Sequence, residues 1–211
     1  MVLPPLKLWF NWHLEGLENV PTDGPALVAG NHISYLDPFA DAHFLLKRGR
    51  RPRFLAKSDL FENVFPRTAL QGCRQIPVER GTGHPAPVRA AVAALRMGEC
   101  VAIYPEGTVT ENPDFSPMQG RTGIARLAIA AGVPVIPLAI WGSQHVWQKQ
   151  GKGSLKFARP IWLRAGAPID VSAHGEDPED PDTLAAVVAD VMAELSHIVD
   201  DLRARYPKRW G

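Results

Sequence analysis

Residues 26–38 read Ala-Leu-Val-Ala-Gly-Asn-His-Ile-Ser-Tyr-Leu-Asp-Pro, an apolar run that empties into a loop carrying a histidine and a carboxylate. Ala26 to Ala29 have the length and character of a buried strand. Asp37-Pro38 mark a helix start, because proline tolerates the first helical position and aspartate is a favoured cap before it. Five positions apart on one helix, His32 and Asp37 would point about 140° away from each other. Across a strand end and a helix start they can meet. A carboxylate held there accepts from one imidazole nitrogen and leaves the other free to take a proton from a substrate hydroxyl. The plainer reading of the same residues is a capped helix and a loop histidine.

Outward from this segment the chain alternates. Apolar patterning predicts strands near 26–30, 53–57, 75–79, 100–104, 133–140 and 155–165, and helices near 38–47, 59–70, 86–97, 120–131 and 182–205. Alternation of this kind argues for an α/β fold, a sheet covered by helices. Residues 170–182 are acidic and proline-rich and read as a solvated linker. The helix after it is well marked: Asp180 caps, Pro181 starts, and Leu184, Val187, Val188, Val191, Leu195, Ile198 and Leu202 recur at helical spacing, as a core-facing stripe does.

Composition narrows the class. A chain of 211 residues can bury a full core within a single domain, here residues 1–211. Hydrophobic residues make up 45%, and the net charge of +1 gives no argument for nucleic acid as a partner. Cys73 and Cys100 show neither metal-ligand spacing nor a disulfide framework, which points to a reducing compartment. No secretory signal is visible, and no apolar stretch approaches the ~20 residues of a membrane span.

Two further segments carry chemistry. Residues 100–108 read Cys-Val-Ala-Ile-Tyr-Pro-Glu-Gly-Thr, a strand stopped by Pro105 and followed by Glu106, Gly107 and Thr108. Open α/β sheets bind ligands at such strand ends, and a glycine there lets substrate approach the backbone. A plain strand end and turn would look the same. Residues 75–81, Gln-Ile-Pro-Val-Glu-Arg-Gly, end a short strand on Arg80, whose planar fork suits phosphate. A solvated arginine is the alternative.

Taken in order, these blocks resemble the glycerolipid acyltransferases typified by lysophosphatidate acyltransferase. That family's pattern runs His-x-x-x-x-Asp, then a strand ending in arginine, then Phe-Pro-Glu-Gly-Thr-Arg-Ser, then Val-Pro-Val-Ile-Pro. This chain offers His32 to Asp37, Gly72 to Arg80, Tyr104-Pro-Glu-Gly-Thr108 and Val133-Pro-Val-Ile-Pro137. The likeness covers roughly residues 15–170, and four ordered blocks are far more specific than one. It implies a central mixed sheet flanked by helices, and transfer of a fatty acyl group from a thioester to a hydroxyl of a glycerophosphate or lysophospholipid. Lysophosphatidic acid to phosphatidic acid is the expected step. By resemblance, His32 is the general base, Asp37 orients it and stabilises the imidazolium, Glu106, Gly107 and Thr108 position the glycerol, and Arg80 its phosphate. Lys57, at the end of the strand from Arg53, is a further phosphate candidate or a solvated lysine. The donor is acyl-CoA or acyl carrier protein, acting as substrate, and no cofactor or metal is implied.

The chain departs from the pattern in three places. Val109-Thr110 stand where Arg-Ser is usual, removing one positive contact, and Arg121 lies where many members carry lysine and is the candidate replacement. Tyr104 replaces phenylalanine. Two rivals stay open: a thioester or ester hydrolase, against which no Gly-x-Ser-x-Gly elbow is present, and a non-catalytic peripheral lipid-binding protein.

Membrane contact is expected at the cytoplasmic side of the cell membrane, peripherally. Residues 1–14 read as an interfacial helix on which Leu6, Trp9, Phe10 and His13 share a side widened by Leu8 and Trp12, or as a segment packed on its own domain. Lys47 to Arg53 carry five positive charges in seven positions, a pattern suited to an anionic membrane surface, to the phosphates of acyl-CoA, or to a solvated loop.

Overall fold

The computed structural model describes residues 8–58, 74–78, 86–149 and 153–210. Seven strands form one sheet: β1 (Asn11–Glu15), β2 (Ala26–Gly30), β3 (Pro52–Lys57), β4 (Ile76–Val78), β5 (Cys100–Ile103), β6 (Val135–Trp141) and β7 (Pro160–Ala165). Their order is β1-β7-β6-β2-β5-β3-β4, parallel throughout except for the antiparallel pair β6–β7. Helices α1 (Asp37–Lys47), α2 (Ala86–Arg96), α3 (Gly123–Ala131) and α4 (Pro181–Arg205) cover it. The expected α/β fold with a mixed, helix-flanked sheet is the one observed.

Burial on both faces explains the unbroken apolar runs of the central strands. In β2, Ala26 and Val28 pack with Phe44 and Leu45 of α1, while Leu27 and Ala29 face Leu95 of α2 and Leu127 of α3. The α4 stripe serves both layers, Leu184 to Leu195 in one and Ile198 to Leu202 in the other. Asp180 caps α4 by accepting from Thr183 N at 2.8 Å, and Pro181 begins it.

Four local expectations are corrected. Residues 11–15 are a strand, not part of an interfacial helix. Asn-Trp-His-Leu-Glu also alternates with period two, and pairing with β7 selects that period over the helical one. Phe10 is 5% exposed and Trp12 is partly buried against it, so Phe10 has no free face for a bilayer. Leu6 and the residues around it lie outside the described part of the chain. The basic run 47–53 is largely consumed by structure. Arg50 is buried and donates to the carbonyls of Pro21, Gly24 and Gly98, Arg48 donates to Val20 O, and Arg53 pairs with Glu99. Residues 170–182 are not a free linker, since Val171 is buried and Thr183 Oγ1 donates back to His174 O. Finally, Asp37 does not cap its own helix. Leu36 occupies that position, and the Asp37 carboxylate turns back into the preceding loop. The predicted helix near 59–70 lies outside the described residues.

Candidate active site

Strand order brings the motifs together. β2 lies between β5 and β6, parallel to both, with Ala29 opposite Ile103 and Gly30 opposite Leu138. The residues that follow each strand therefore leave the sheet side by side at its carboxyl edge, where open α/β sheets place their sites. Three loops meet there: 31–36, 104–110 and 142–147.

Asn31 ends the sheet cleanly. Its side chain is fully buried and replaces a strand residue, donating to Ile140 O at 3.2 Å and accepting from Ile140 N at 2.8 Å. The chain then turns away from the ladder at His32. The His32 ring is 12% exposed, and its Nδ1 lies 2.9 Å from Asp37 Oδ2. That same oxygen accepts from the amides of Ile33 and Ser34, each at 2.7 Å, and the other, Oδ1, accepts from Ser143 Oγ at 2.6 Å. A fully buried carboxylate held by this set of donors is fixed in place beside the imidazole, where it can stabilise an imidazolium. Ser34 and Tyr35 are tied to Trp147 O, so loop 142–147 braces the motif from the outside.

Glu106 is a bracket. It is 2% exposed; one oxygen accepts from His32 N and the other from Met118 N, both at 2.8 Å. Burial raises its pKa against these two amide bonds. Thr110 N donates to His32 O at 2.7 Å, closing the bracket from the same loop. Val109, where the family pattern has arginine, is 4% exposed and faces the interior. Gly107 has φ of 75°, and a Cβ there would sit 3.0 Å from Arg121 Nε, so the guanidinium lies directly over this turn. Arg121 is exposed, and its backbone amide is anchored on Pro105 O. Glu106, Thr108 and Arg121, with Glu111, Met118, Gln119 and Gly120, line a cleft of about 570 Å³. His32 is not on that wall. The cleft adjoins it through Glu106, which binds the histidine with one oxygen and borders the cleft as well.

The structure thus assembles His32, Asp37, Glu106, Gly107, Thr108 and Arg121 at one sheet edge. Arg80 lies outside the described residues, as does the side chain of Lys57, whose backbone ends β3. Sequence reasoning missed Asn31, Ser143 and the Thr110 amide. Asn31 adjoins the motif and was open to notice; Ser143, 106 positions from Asp37, gave no local signal. Burial pushes the Cys100 thiol up to about 11, which removes it as a nucleophile. Among the described residues no group of side chains could hold a metal ion.

Comparison with known proteins agrees with this geometry. A family model described as Acyltransferase matches residues 11–141. The chain is 28% identical to the 1-acyl-sn-glycerol-3-phosphate acyltransferase of Bacillus subtilis over 68% of its length and 70% of that protein. It is 26% identical to the chloroplastic enzyme of the same name, BAT2, from Brassica napus, over 71% of this chain and 45% of that one. Among solved structures, the 1-acyl-sn-glycerophosphate acyltransferase PlsC of Thermotoga maritima superimposes with a TM-score of 0.72 at 26% identity, covering 95% of this chain and 76% of that one.

Proposed function

The chain belongs to the acyltransferase family, and from that premise we propose that it acylates a hydroxyl of a glycerophosphate or lysophospholipid, converting lysophosphatidic acid to phosphatidic acid. The observation that carries the reading is the His32–Asp37 pair at the carboxyl edge of the sheet, next to a cleft bordered by Arg121. With Nδ1 engaged by Asp37, Nε2 is the nitrogen left to accept the proton of the acceptor hydroxyl. The hydroxyl oxygen attacks the thioester carbonyl, the carbon–oxygen bond forms, the carbon–sulfur bond breaks, and the proton passes from His32 to the departing thiolate. A thioester is already activated, so one base suffices and no covalent enzyme intermediate is needed. Arg121, lying over Gly107, is the described cation best placed for the acceptor's phosphate; Thr108 borders the same cleft. Arg80 and Lys57 remain candidates for further phosphate contacts. Acyl-CoA or acyl carrier protein is the donor.

The acceptor is a lipid, and the protein meets it at an anionic bilayer surface on the cytoplasmic side. Support comes from exposed apolar side chains that include Leu8 and Trp9 of the segment the sequence indicated and add two residues from beyond it. Leu8, Trp9, Leu155 and Phe157 are all exposed, with the Trp9 and Phe157 rings 5.7 Å apart and Trp9 Nε1 donating to Leu155 O. Ser154 N donates to His145 O, which brings this group beside loop 142–147, where exposed Trp147 meets exposed Tyr35. Lys156 is exposed on this stretch, as is Lys149, which pairs with Glu111 at 2.6 Å; residues 143–159 themselves include no aspartate or glutamate, so Lys156 complements anionic lipid. Among the described residues no helix is long and apolar enough to cross a membrane.

One assay tests the reaction: purified protein with acyl-CoA and, separately, lysophosphatidic acid, glycerol 3-phosphate and uncharged lysolipids. Phosphatidic acid is the expected product; release of free fatty acid alone would sink the transferase reading in favour of hydrolysis. Cosedimentation with anionic vesicles tests the surface. The Leu155→Ser, Phe157→Ser variant is expected to lose vesicle binding at all salt concentrations while keeping turnover of a soluble short-chain acceptor, and unchanged binding would move the contact elsewhere.

A further inference from the structure

Asp41, Tyr104 and His32 form a line that the reaction as derived above does not use. The Tyr104 ring lies flat against the His32 imidazole, with centroids 4.1 Å apart and planes 14° from parallel. Its hydroxyl donates to Asp41 Oδ2 at 2.6 Å. Asp41 sits on α1 one turn beyond Asp37 and is 2% exposed; its other oxygen has no hydrogen-bond partner. Phe54 lies parallel to Tyr104 further along the stack, at 6.2 Å and 13°.

A single hydrogen bond at one edge of an imidazole resists tilting of the ring only weakly. The Asp37 contact restrains Nδ1, but Nε2 lies at the far edge, where small tilts move it most. A second constraint across the face of the ring removes that freedom, and Tyr104 supplies it. A phenylalanine would offer the same face, but only a hydroxyl can be pinned from behind. Burial of an unpaired carboxyl is costly, so Asp41 has little reason to be in this core except to receive that hydroxyl. We propose that Tyr104 and Asp41 are a positioning pair that holds the plane of His32, and that the tyrosine found here in place of the family's phenylalanine is explained by Asp41.

The electrostatics fit a passive support. Burial, and then the neighbouring Asp37 charge, push Asp41 well above the ordinary carboxylate range, and burial likewise raises Tyr104. Both directions favour the uncharged forms of the pair. The titratable groups facing His32 are then Asp37 from α1 and Tyr104 and Glu106 from the strand β5 exit.

The proposal rests on the acyl-transfer reading for its kinetic test and is also readable without it. Tyr104→Phe leaves Asp41 without its donor and is expected to lower kcat about tenfold, with the acceptor KM little changed, because orientation acts in the transition state. Asp41→Ala should do the same. Asp41→Asn keeps an acceptor for the hydroxyl and should retain most of kcat. The double variant Tyr104→Phe, Asp41→Ala breaks the same single bond and should be no slower than the slower single change, as two residues acting as a unit are. Independently of turnover, the His32 Hε1 resonance should carry an upfield ring-current shift from Tyr104 that weakens in Asp41→Ala and survives in Asp41→Asn. If folded Asp41→Ala keeps both normal kcat and the shift, the pair does not position His32. If the shift behaves as expected while wild-type protein transfers no acyl group, the positioning holds and the function fails.

Discussion

Ser143 Oγ donates to Asp37 Oδ1 at 2.6 Å, tying the exit of β6 to the carboxylate that orients His32. Both residues are fully buried, so the bond is made in a medium where its loss is felt in full. It completes a set in which Asp37 has no spare lone pair directed at solvent, and it makes loop 142–147 part of the histidine's support.

Ser143→Ala is accordingly expected to cost about 1–3 kcal/mol of folding stability and to reduce kcat, since a hydrogen bond to a buried charge is lost. Ser143→Thr keeps the hydroxyl and should recover most of both. Denaturant midpoints and initial rates on the two variants check this; a normal kcat in Ser143→Ala would confine the bond to folding.

Removing the proposed base is the harsher change. His32→Ala should lower kcat by ~10²–10⁴ while the protein remains folded, the range general-base catalysis supplies. Asp37→Asn should be nearly as damaging, because an amide cannot accept from the amides of Ile33 and Ser34, from His32 and from Ser143 together. Near-normal turnover by a folded His32→Ala protein would remove the base from the mechanism.

An arginine restored at position 109 would not recreate the phosphate contact that the family pattern places there. Val109 is 4% exposed, so the new guanidinium would have to be buried, at a cost on the order of 3 kcal/mol or more. Val109→Arg is thus expected to lower the melting temperature rather than change acceptor preference. Arg121→Ala, on the exposed wall of the cleft, should instead raise the KM for a phosphorylated acceptor and spare the fold. Equal effects of Arg121→Ala on charged and uncharged acceptors would argue against a phosphate contact.

The edge strand β1 is pinned by charge. Glu15 pairs with Arg205 at the end of α4, which also pairs with Asp201, and this contact, helped by His13, holds the Glu15 carboxyl down to about 2. A lowered folded-state value means the stabilisation is complete above the ordinary 4.5 and is lost as pH falls toward 2. Arg205→Gln should cost about 0.5–1 kcal/mol near neutral pH, the scale of a partly exposed pair. The gap from wild type should close between pH 4.5 and 2, as urea titrations at several pH values would show.

What the sequence by itself determined was local: the buried runs of β2, β5 and β6, the helix stripe of α4, and the polar residues at strand exits. Each rests on periodicity, length or turn chemistry within a few positions, which a linear reading can see. The ordered motif blocks fixed the family in the same way. Tertiary structure decided the rest. Whether 11–15 would be helix or strand depended on a partner at 160–164. Whether Arg50 would greet a membrane or be spent on carbonyls depended on where residues 21, 24 and 98 came to lie. The support of His32 follows the same rule, since Ser143 and Tyr104 reach the histidine motif only because β6 and β5 flank β2 in the sheet. Strand order is a global property of packing, and no short stretch of chain encodes it.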